Sequence, residues 1–191
     1  NLVDHEALFR AGILGQLIVL LLDMALAVLL YIVLKPVNRT LALMAAAARL
    51  VMTSMRGINL VFRFIALMLA GGTGYLEAME TSQLHTLAML FLEAFNMGFS
   101  LDLVFFSVHL ILVGILVWRS GYIPGVIGVL LLIAGLSYLT DSLTGTVLPE
   151  LDAIFVPVLM IPAVIGELAF MLWLVIRGIS KSKWEQYITA N

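Results

Sequence analysis

Long apolar runs separated by short polar turns make up most of the chain. An α-helix needs about 20 apolar residues to cross the hydrocarbon core of a bilayer, and several runs reach that length. The runs do not alternate apolar and polar residues, as the strands of a membrane barrel would. The pattern therefore predicts five membrane-spanning helices, at about residues 11–34, 41–70, 97–118, 122–143 and 153–177.

The third apolar run is too long for a single span, because it extends from Gln83 to Trp118. As one helix it would be about 54 Å long, whereas a full bilayer is about 40–45 Å thick. A break near Asn96–Gly98 is therefore predicted. It would leave a surface helix over residues 83–96, with the membrane span after it.

The composition agrees with a membrane protein. The mean hydropathy is +1.14 and only 12% of the residues are charged, values outside the range of soluble domains. The chain has no cysteine, which excludes disulfides and thiolate metal sites. Its net charge of −2 gives no indication of nucleic acid. The predicted fold is an all-α integral membrane bundle in one domain, with Trp184 and Tyr187 in a polar tail suited to the membrane interface.

The loop charges predict the orientation of this bundle. One side carries six basic residues, Lys35, Arg39, Arg119, Arg177, Lys181 and Lys183. The other side carries Arg10 and six acids, Asp4, Glu6, Glu77, Glu80, Glu150 and Asp152. Because loops rich in Lys and Arg stay in the cytoplasm, the amino end is expected outside a bacterial inner membrane and the carboxyl end inside. A sixth span upstream of Asn1 is expected, since an earlier helix would carry the amino end across.

Three arginines interrupt the second apolar run. Arg49, Arg56 and Arg63 follow one another at seven-residue intervals. Seven residues turn an α-helix through about 700°, so the three side chains form one stripe about 21 Å long. An arginine exposed to lipid costs at least about 2.5–3.5 kcal/mol, and the stripe is therefore expected to face protein or water. Ion pairs that fix the helix register are favoured over a voltage sensor, in which arginine recurs at every third residue.

Depth in the membrane predicts partners for this stripe. The first two spans form an antiparallel hairpin that turns at the KPVNRT segment. Asp23 then lies level with a point between Arg49 and Arg56. Gln16 lies level with Asn59. The sequence therefore predicts an ion-pair seam that joins Asp23 to both arginines and Gln16 to Asn59.

The outer half of the bundle contains a second candidate site. The same depth argument, applied to the third and fourth spans, places Asp102 level with Tyr138 and about one turn from Asp141. An outward-opening polar pocket is expected from Arg63, Glu93, Asp102, Tyr138 and Asp141. Its carboxylates outnumber its arginine, and carboxylates that share a site disfavour one another's charge, so one would hold a proton. Such a pocket suits proton or cation coupling, or an inert hydrated vestibule.

Two further ionisable residues lie near mid-membrane. His109 is interpreted as a hydrogen-bonded core histidine, with a proton relay or a haem or pigment ligand as alternatives. Glu167 is a functional candidate by its depth, although pairing with Arg56 explains it equally well. No cofactor is predicted, and haem or pigment bound through His109 stays the alternative.

Three segments of the second half resemble a known family. The segments RSGYIPGVIG, YLTDS and GELAFMLWL are similar to those of a bacterial multi-pass membrane family catalogued as the domain of unknown function number four-three-eight-six. The resemblance extends from about Leu8 to Gly178. It implies one more hydrophobic segment upstream and no assigned activity. The earlier segment LLDMALAVLLYIVLKPVNRTLALMAAAARLV carries the resemblance too, so the family's motifs include Asp23 and Arg49 as well as Asp141 and Glu167.

The function that these observations favour is a non-catalytic accessory or interaction subunit of the membrane. A small proton- or cation-coupled transporter or channel is the first alternative. An intramembrane cofactor-binding protein or enzyme is the second, although the chain has no paired-histidine metal motif. The expected partners are the lipid bilayer and other membrane protein chains, and no nucleic acid is expected.

Overall fold

The computed structural model describes residues 6–71, 74–147 and 149–190, with side chains except at 75, 146–147, 149–159 and 190. No β-strand occurs within these ranges. The helices are α1 (Glu6–Leu34), α2 (Arg39–Gly71), α3 (Thr81–Ser120), α4 (Gly125–Val147), α5 (Pro149–Ile176) and α6 (Lys181–Ala190), with a 3₁₀ turn at Gly74–Ala78 before α3. The predicted all-α fold is confirmed.

Length and hydropathy identify the membrane spans among the described residues. α1, α2, α3 and α4 are each long and apolar enough to cross a membrane. The end of α5, from Met160, meets α6 at a bend of 95°, and the two together form a fifth candidate span. Large apolar side chains also cover the outside of the bundle, as at Ile58 and Val175, which are 71% and 78% exposed. The chain is therefore a helical membrane bundle.

The predicted break in the third span is wrong. α3 is one uninterrupted helix of 40 residues, so residues 83–96 are not a separate surface helix. Its amino-terminal half packs on α2 through an apolar cluster that includes Leu84 and Ala88, and this packing keeps it helical. Gly98 makes room for a side chain of α2 instead of ending the helix. At about 60 Å, α3 must tilt or project beyond a bilayer.

Consecutive helices pack against one another, with α3 at the centre. α2 and α4 cover most of α3, α1 packs on α2, and α5 packs on α4. α1 and α5 therefore lie at the two ends of the row, and they have at most slight contact with each other in the described part of the chain. The main apolar core lies between α3 and α4, where Leu116, Val117 and Leu131 are fully buried.

Glycines set the close approach of α3 and α4. A Cβ added at Gly128 would lie 2.7 Å from the Gly114 carbonyl oxygen and 2.9 Å from Trp118 Cα. A Cβ added at Gly135 would lie 2.7 Å from Ile111 Cγ1. These positions leave no space for a side chain, so the two backbones touch, as small residues allow in membrane helix pairs.

The basic residues used for the orientation prediction lie at one end of the bundle. Here Gly178, with φ +64°, ends α5 and lets the chain turn into α6. Tyr122 Oη and Trp184 Nε1 both donate to the Val33 carbonyl oxygen, at 2.6 and 3.1 Å, which ties this end together. On the acidic side, Asp4 and the side chains of Glu150 and Asp152 fall outside the described residues.

The glycine contact predicts a matched pair of variants. Gly128→Ala should destabilise the bundle by about 1–3 kcal/mol, because its methyl group overlaps the α3 backbone. Gly15→Ala is the control, since nothing lies within 4 Å of a Cβ added there. Thermal unfolding in detergent compares the two. A Gly128→Ala protein as stable as the Gly15→Ala protein would contradict the close contact.

Candidate functional site

Arg49 connects three helices through polar contacts in the middle of the bundle. Its Nη2 forms an ion pair with the carboxylate of Asp23 on α1. Its Nη1 donates to Nε2 of His109 on α3 at 3.0 Å, and His109 Nδ1 donates to the Ala45 carbonyl oxygen at 2.8 Å. A guanidinium group only donates, so Nε2 is the acceptor and His109 is neutral. The predicted contact between Asp23 and Arg49 is confirmed, as is the hydrogen-bonded core histidine.

An aromatic side chain covers this cluster. The ring of Phe106 lies 5.7 Å from the Arg49 guanidinium carbon and stacks on His109 at 6.2 Å between centroids. Its other neighbour is Tyr138, at 5.5 Å. Cation–π and ring contacts of this kind hold the guanidinium group in place where water is excluded.

Arg56 pairs with a different acid from the one predicted. It donates to both oxygens of Asp102 on α3, from Nε at 3.0 Å and from Nη2 at 2.6 Å. The Asp102 side chain is fully buried, and Phe99 lies 5.0 Å from the Arg56 guanidinium carbon. The predicted pair of Arg56 with Asp23 is wrong, because the bidentate carboxylate on α3 satisfies the guanidinium group more completely.

Arg63 takes the partner that was predicted for Asn59. Its Nη1 donates to Gln16 Oε1 at 3.0 Å, between the rings of Phe9 and Phe95 at 4.7 and 5.2 Å. Asn59 turns towards α3 and donates to the Phe95 carbonyl oxygen at 2.7 Å. The predicted contact between Gln16 and Asn59 is therefore wrong. Asn59 can face α3 because the position opposite it is a glycine.

Two residues of the predicted outer pocket, Arg63 and Asp102, are bound to other partners. Within the described residues no ion pair joins Arg63 to an acid, and Asp102 is held by Arg56 instead. Glu93 is exposed on α3, and Asp141 is half-buried on α4. Arg63 therefore does not pair with Asp102, and its guanidinium group is bound to Gln16 on α1 instead.

The remaining residue of that pocket, Tyr138, belongs to another site. It lies close enough to Glu167 on α5 for the two groups to influence each other electrostatically. Glu167 forms no ion pair with Arg56, whose guanidinium group is bound to Asp102. His109 and Glu167, which the sequence placed at the same depth, line one cavity.

This cavity, of about 410 Å³, is the α1–α5 cleft. Its polar residues are Arg49, His109 and Glu167, and its apolar lining is Leu26, Leu30, Phe106, Leu110, Val113, Leu131, Leu168, Phe170, Met171, Leu174 and Val175. The Nε–H of Arg49, which is only 9% exposed, has no acceptor among the described residues. The cleft is therefore an apolar cavity with three polar residues in its wall.

The arrangement of His109 bears on the cofactor alternatives. Both of its ring nitrogens are engaged, one by Arg49 and the other by the Ala45 carbonyl oxygen, so neither is free to bind iron or a pigment metal. No group of three His, Asp or Glu side chains in the described residues is placed to hold a metal ion. The polar groups present are suited to hydrogen bonding.

Sequence reasoning missed Phe106, the Ala45 carbonyl oxygen and the cleft itself. A usable signal existed for the pairs between α2 and α3. The midpoint in residue number is Met79 for both Arg56–Asp102 and Arg49–His109. Depth matching across a hairpin that turns at Met79, between α2 and α3, would therefore have found both pairs.

Comparisons with known proteins identify relatives of the chain. The family model of the domain of unknown function DUF4386 matches residues 1–178. An uncharacterized protein of Archaeoglobus fulgidus is 30% identical over 167 residues, which cover 87% of this chain and 83% of the relative. No solved structure matches the chain. The family resemblance seen in the sequence motifs is confirmed.

The pair of Arg56 and Asp102 predicts a non-additive result. Arg56→Gln leaves the fully buried Asp102 without its cation, which should cost about 3–5 kcal/mol. The double variant R56Q/D102N removes both charges and should recover most of that loss. Unfolding midpoints in detergent compare R56Q, D102N and the double variant.

The exposed pair of Arg10 and Glu6, 61% and 46% exposed, is the control. R10Q should cost about 0.5 kcal/mol or less, because water screens this pair. A loss in the double variant equal to the sum of the R56Q and D102N losses would show that the two charges do not depend on each other.

Proposed function

The chain belongs to the DUF4386 family, which brings no activity with it, and we propose that it is a non-catalytic accessory protein that binds a neutral, lipid-soluble amphiphile in the α1–α5 cleft. The observation that carries this proposal is the cleft itself, an apolar cavity whose wall also contains Arg49, His109 and Glu167. An oxygen-bearing head group would meet these polar residues, and an apolar tail would meet the rest of the lining.

The charges around the cleft favour a neutral head group. Arg49 is already balanced by Asp23, so an anionic head would add an uncompensated charge beside Glu167. Because an uncompensated charge inside a membrane is costly, a hydroxyl or carbonyl head fits best. Its oxygen would accept from Arg49, and a hydroxyl would also bond to Glu167.

The walls of the cleft favour an apolar tail. Leu26 and Leu30 on α1 face the cavity from one side, and Leu168 and Met171 on α5 face it from the other. The volume of about 410 Å³ falls within the range of about 300–1,000 Å³ for small-molecule sites. Since α1 and α5 have little contact, a ligand would enter from the lipid between them.

The other functions considered from the sequence have less support. Proton- or cation-coupled transport relied on an outer pocket that includes Arg63 and Asp102, and these two residues are bound to Gln16 and Arg56 instead. Among the polar groups considered for catalysis, Arg49, His109 and Asp102 are each bound to a fixed partner, which leaves Glu167 without a second group to act with. An accessory role needs only a stable binding site. We also place the basic end of the bundle in the cytoplasm and the amino end outside, in the cytoplasmic membrane.

Blocking the cleft predicts loss of ligand. Leu168 lines the cleft and is 47% exposed, so Leu168→Trp should fill it without disturbing the packed core. We expect photolabelling by a long-chain alcohol bearing a diazirine to fall roughly tenfold, the effect of about 1.4 kcal/mol. Mass spectrometry of the labelled full chain in lipid nanodiscs measures the label on the cleft residues.

Leu172→Trp is the matched control. Leu172 lies one turn further along α5 and is 49% exposed, but it does not line the cleft. This variant should be labelled as strongly as the unaltered protein. Equal labelling of both tryptophan variants, or label spread evenly over lipid-facing residues, would refute the binding site.

The proposed orientation predicts the outcome of cysteine labelling. The chain has no cysteine, so single cysteines can be introduced without background. Thr40→Cys, at the exposed start of α2, should react with a membrane-impermeant maleimide only after the cells are permeabilised. Ser82→Cys, exposed at the start of α3, should react in intact cells. The reverse pattern would invert the topology.

A further inference from the structure

A second cavity, of about 670 Å³, lies at the basic end of the bundle, between the α1–α2 turn and α6. This basic-end groove is lined by Tyr31, Ile32, Lys35, Pro36, Arg39, Trp184, Tyr187 and Ile188. It shares no lining residue with the α1–α5 cleft. An inference about it is therefore independent of the proposed function.

The aromatic wall of this groove is held in place by contacts on its inner side. Trp184 Nε1 donates to the Val33 carbonyl oxygen at 3.1 Å. The ring of Tyr187 meets the ring of Tyr122 edge to face, at 6.1 Å between centroids. Trp and Tyr are the residues that membrane proteins place at the level of the lipid head groups. The aromatic wall of the groove is therefore preformed, and its residue types are those found at the membrane–water interface.

The bend before α6 places the groove at that level. α6 follows α5 at an angle of 95°. When α5 crosses the bilayer, α6 lies along its surface, as interfacial helices do. Ile188 on α6 is 44% exposed and lines the groove, so an apolar side chain is available to lipid there.

The charges of the groove are positive and uncompensated. Lys35 and Arg39 are exposed, and neither forms an ion pair in the part of the chain that the structure describes. None of the lining residues is acidic. Arg39 also begins α2, a helix of 33 residues, whose first backbone N–H groups favour an anion.

We infer that the basic-end groove binds the phosphate group of an anionic phospholipid from the surrounding leaflet. Lys35 and Arg39 supply the charge, Trp184 and Tyr187 supply contacts at the level of the glycerol, and Ile188 faces the acyl chains. A free phosphate ion would use only the two cations. The apolar and aromatic part of the lining therefore points to a lipid.

Lipid titration followed by native mass spectrometry tests this inference on the full chain in detergent. The unaltered protein should retain phosphatidylglycerol in preference to phosphatidylcholine. K35Q/R39Q should bind phosphatidylglycerol about 25-fold more weakly, since each basic residue near an anionic lipid contributes about fivefold. K35R/R39K, which keeps both charges, should stay within about twofold of the unaltered protein.

R119Q/K183Q is the matched control, because it removes two exposed basic residues at the same end that do not line the groove. It should leave phosphatidylglycerol binding unchanged. Equal weakening in both double glutamine variants would mean that diffuse surface charge, and not the groove, attracts the lipid. No weakening in K35Q/R39Q would also overturn the inference. If inorganic phosphate displaced phosphatidylglycerol at a concentration similar to the dissociation constant of the lipid, the ligand of the groove would be a free anion and not a lipid.

Discussion

The cost of charge in hydrocarbon governs this bundle, because α2 carries three arginines along a segment that must cross the membrane. Each guanidinium group is bound to a polar partner inside the bundle. Arg49 binds Asp23 and His109, Arg56 binds Asp102, and Arg63 binds Gln16. These partners lie on α1 and α3, so the pairs also fix how the three helices stand against one another. Such pairs fix the register of the helices more than they stabilise the fold, because the cost of removing both charges from water offsets the energy of the pair.

The fold was largely predictable from the sequence, because length and hydropathy report directly on membrane helices. The exception is α3, where Gly98 suggested a break. A glycine weakens an isolated helix, but here it admits the Asn59 side chain, and packing on α2 keeps the helix continuous. A single sequence does not distinguish a glycine that ends a helix from one that lets a neighbour approach.

The candidate site was predictable only in part, because depth matching gives the level of a residue and not its direction. Asp23 and Arg49 were found, since α1 and α2 are joined by a short turn. Arg56 and Asp102 were assigned to separate sites, because the longer α2–α3 connection was not used as a hairpin. The cleft depends on α1 and α5 standing apart, and nothing in the local sequence pattern records such a gap.

The pairing of charges and the position of the cleft have a common origin. Arg49 reaches from α2 to both α1 and α3, so its guanidinium group lies where these helices meet, facing the space that α5 leaves open. Asp23 and His109 bind its two terminal nitrogens, and Arg49 and His109 both line the cavity. A network that neutralises a costly arginine thus also places polar residues in the wall of an apolar site. In the function that we propose, this combination would select an oxygen-bearing head group over the lipid tails around it.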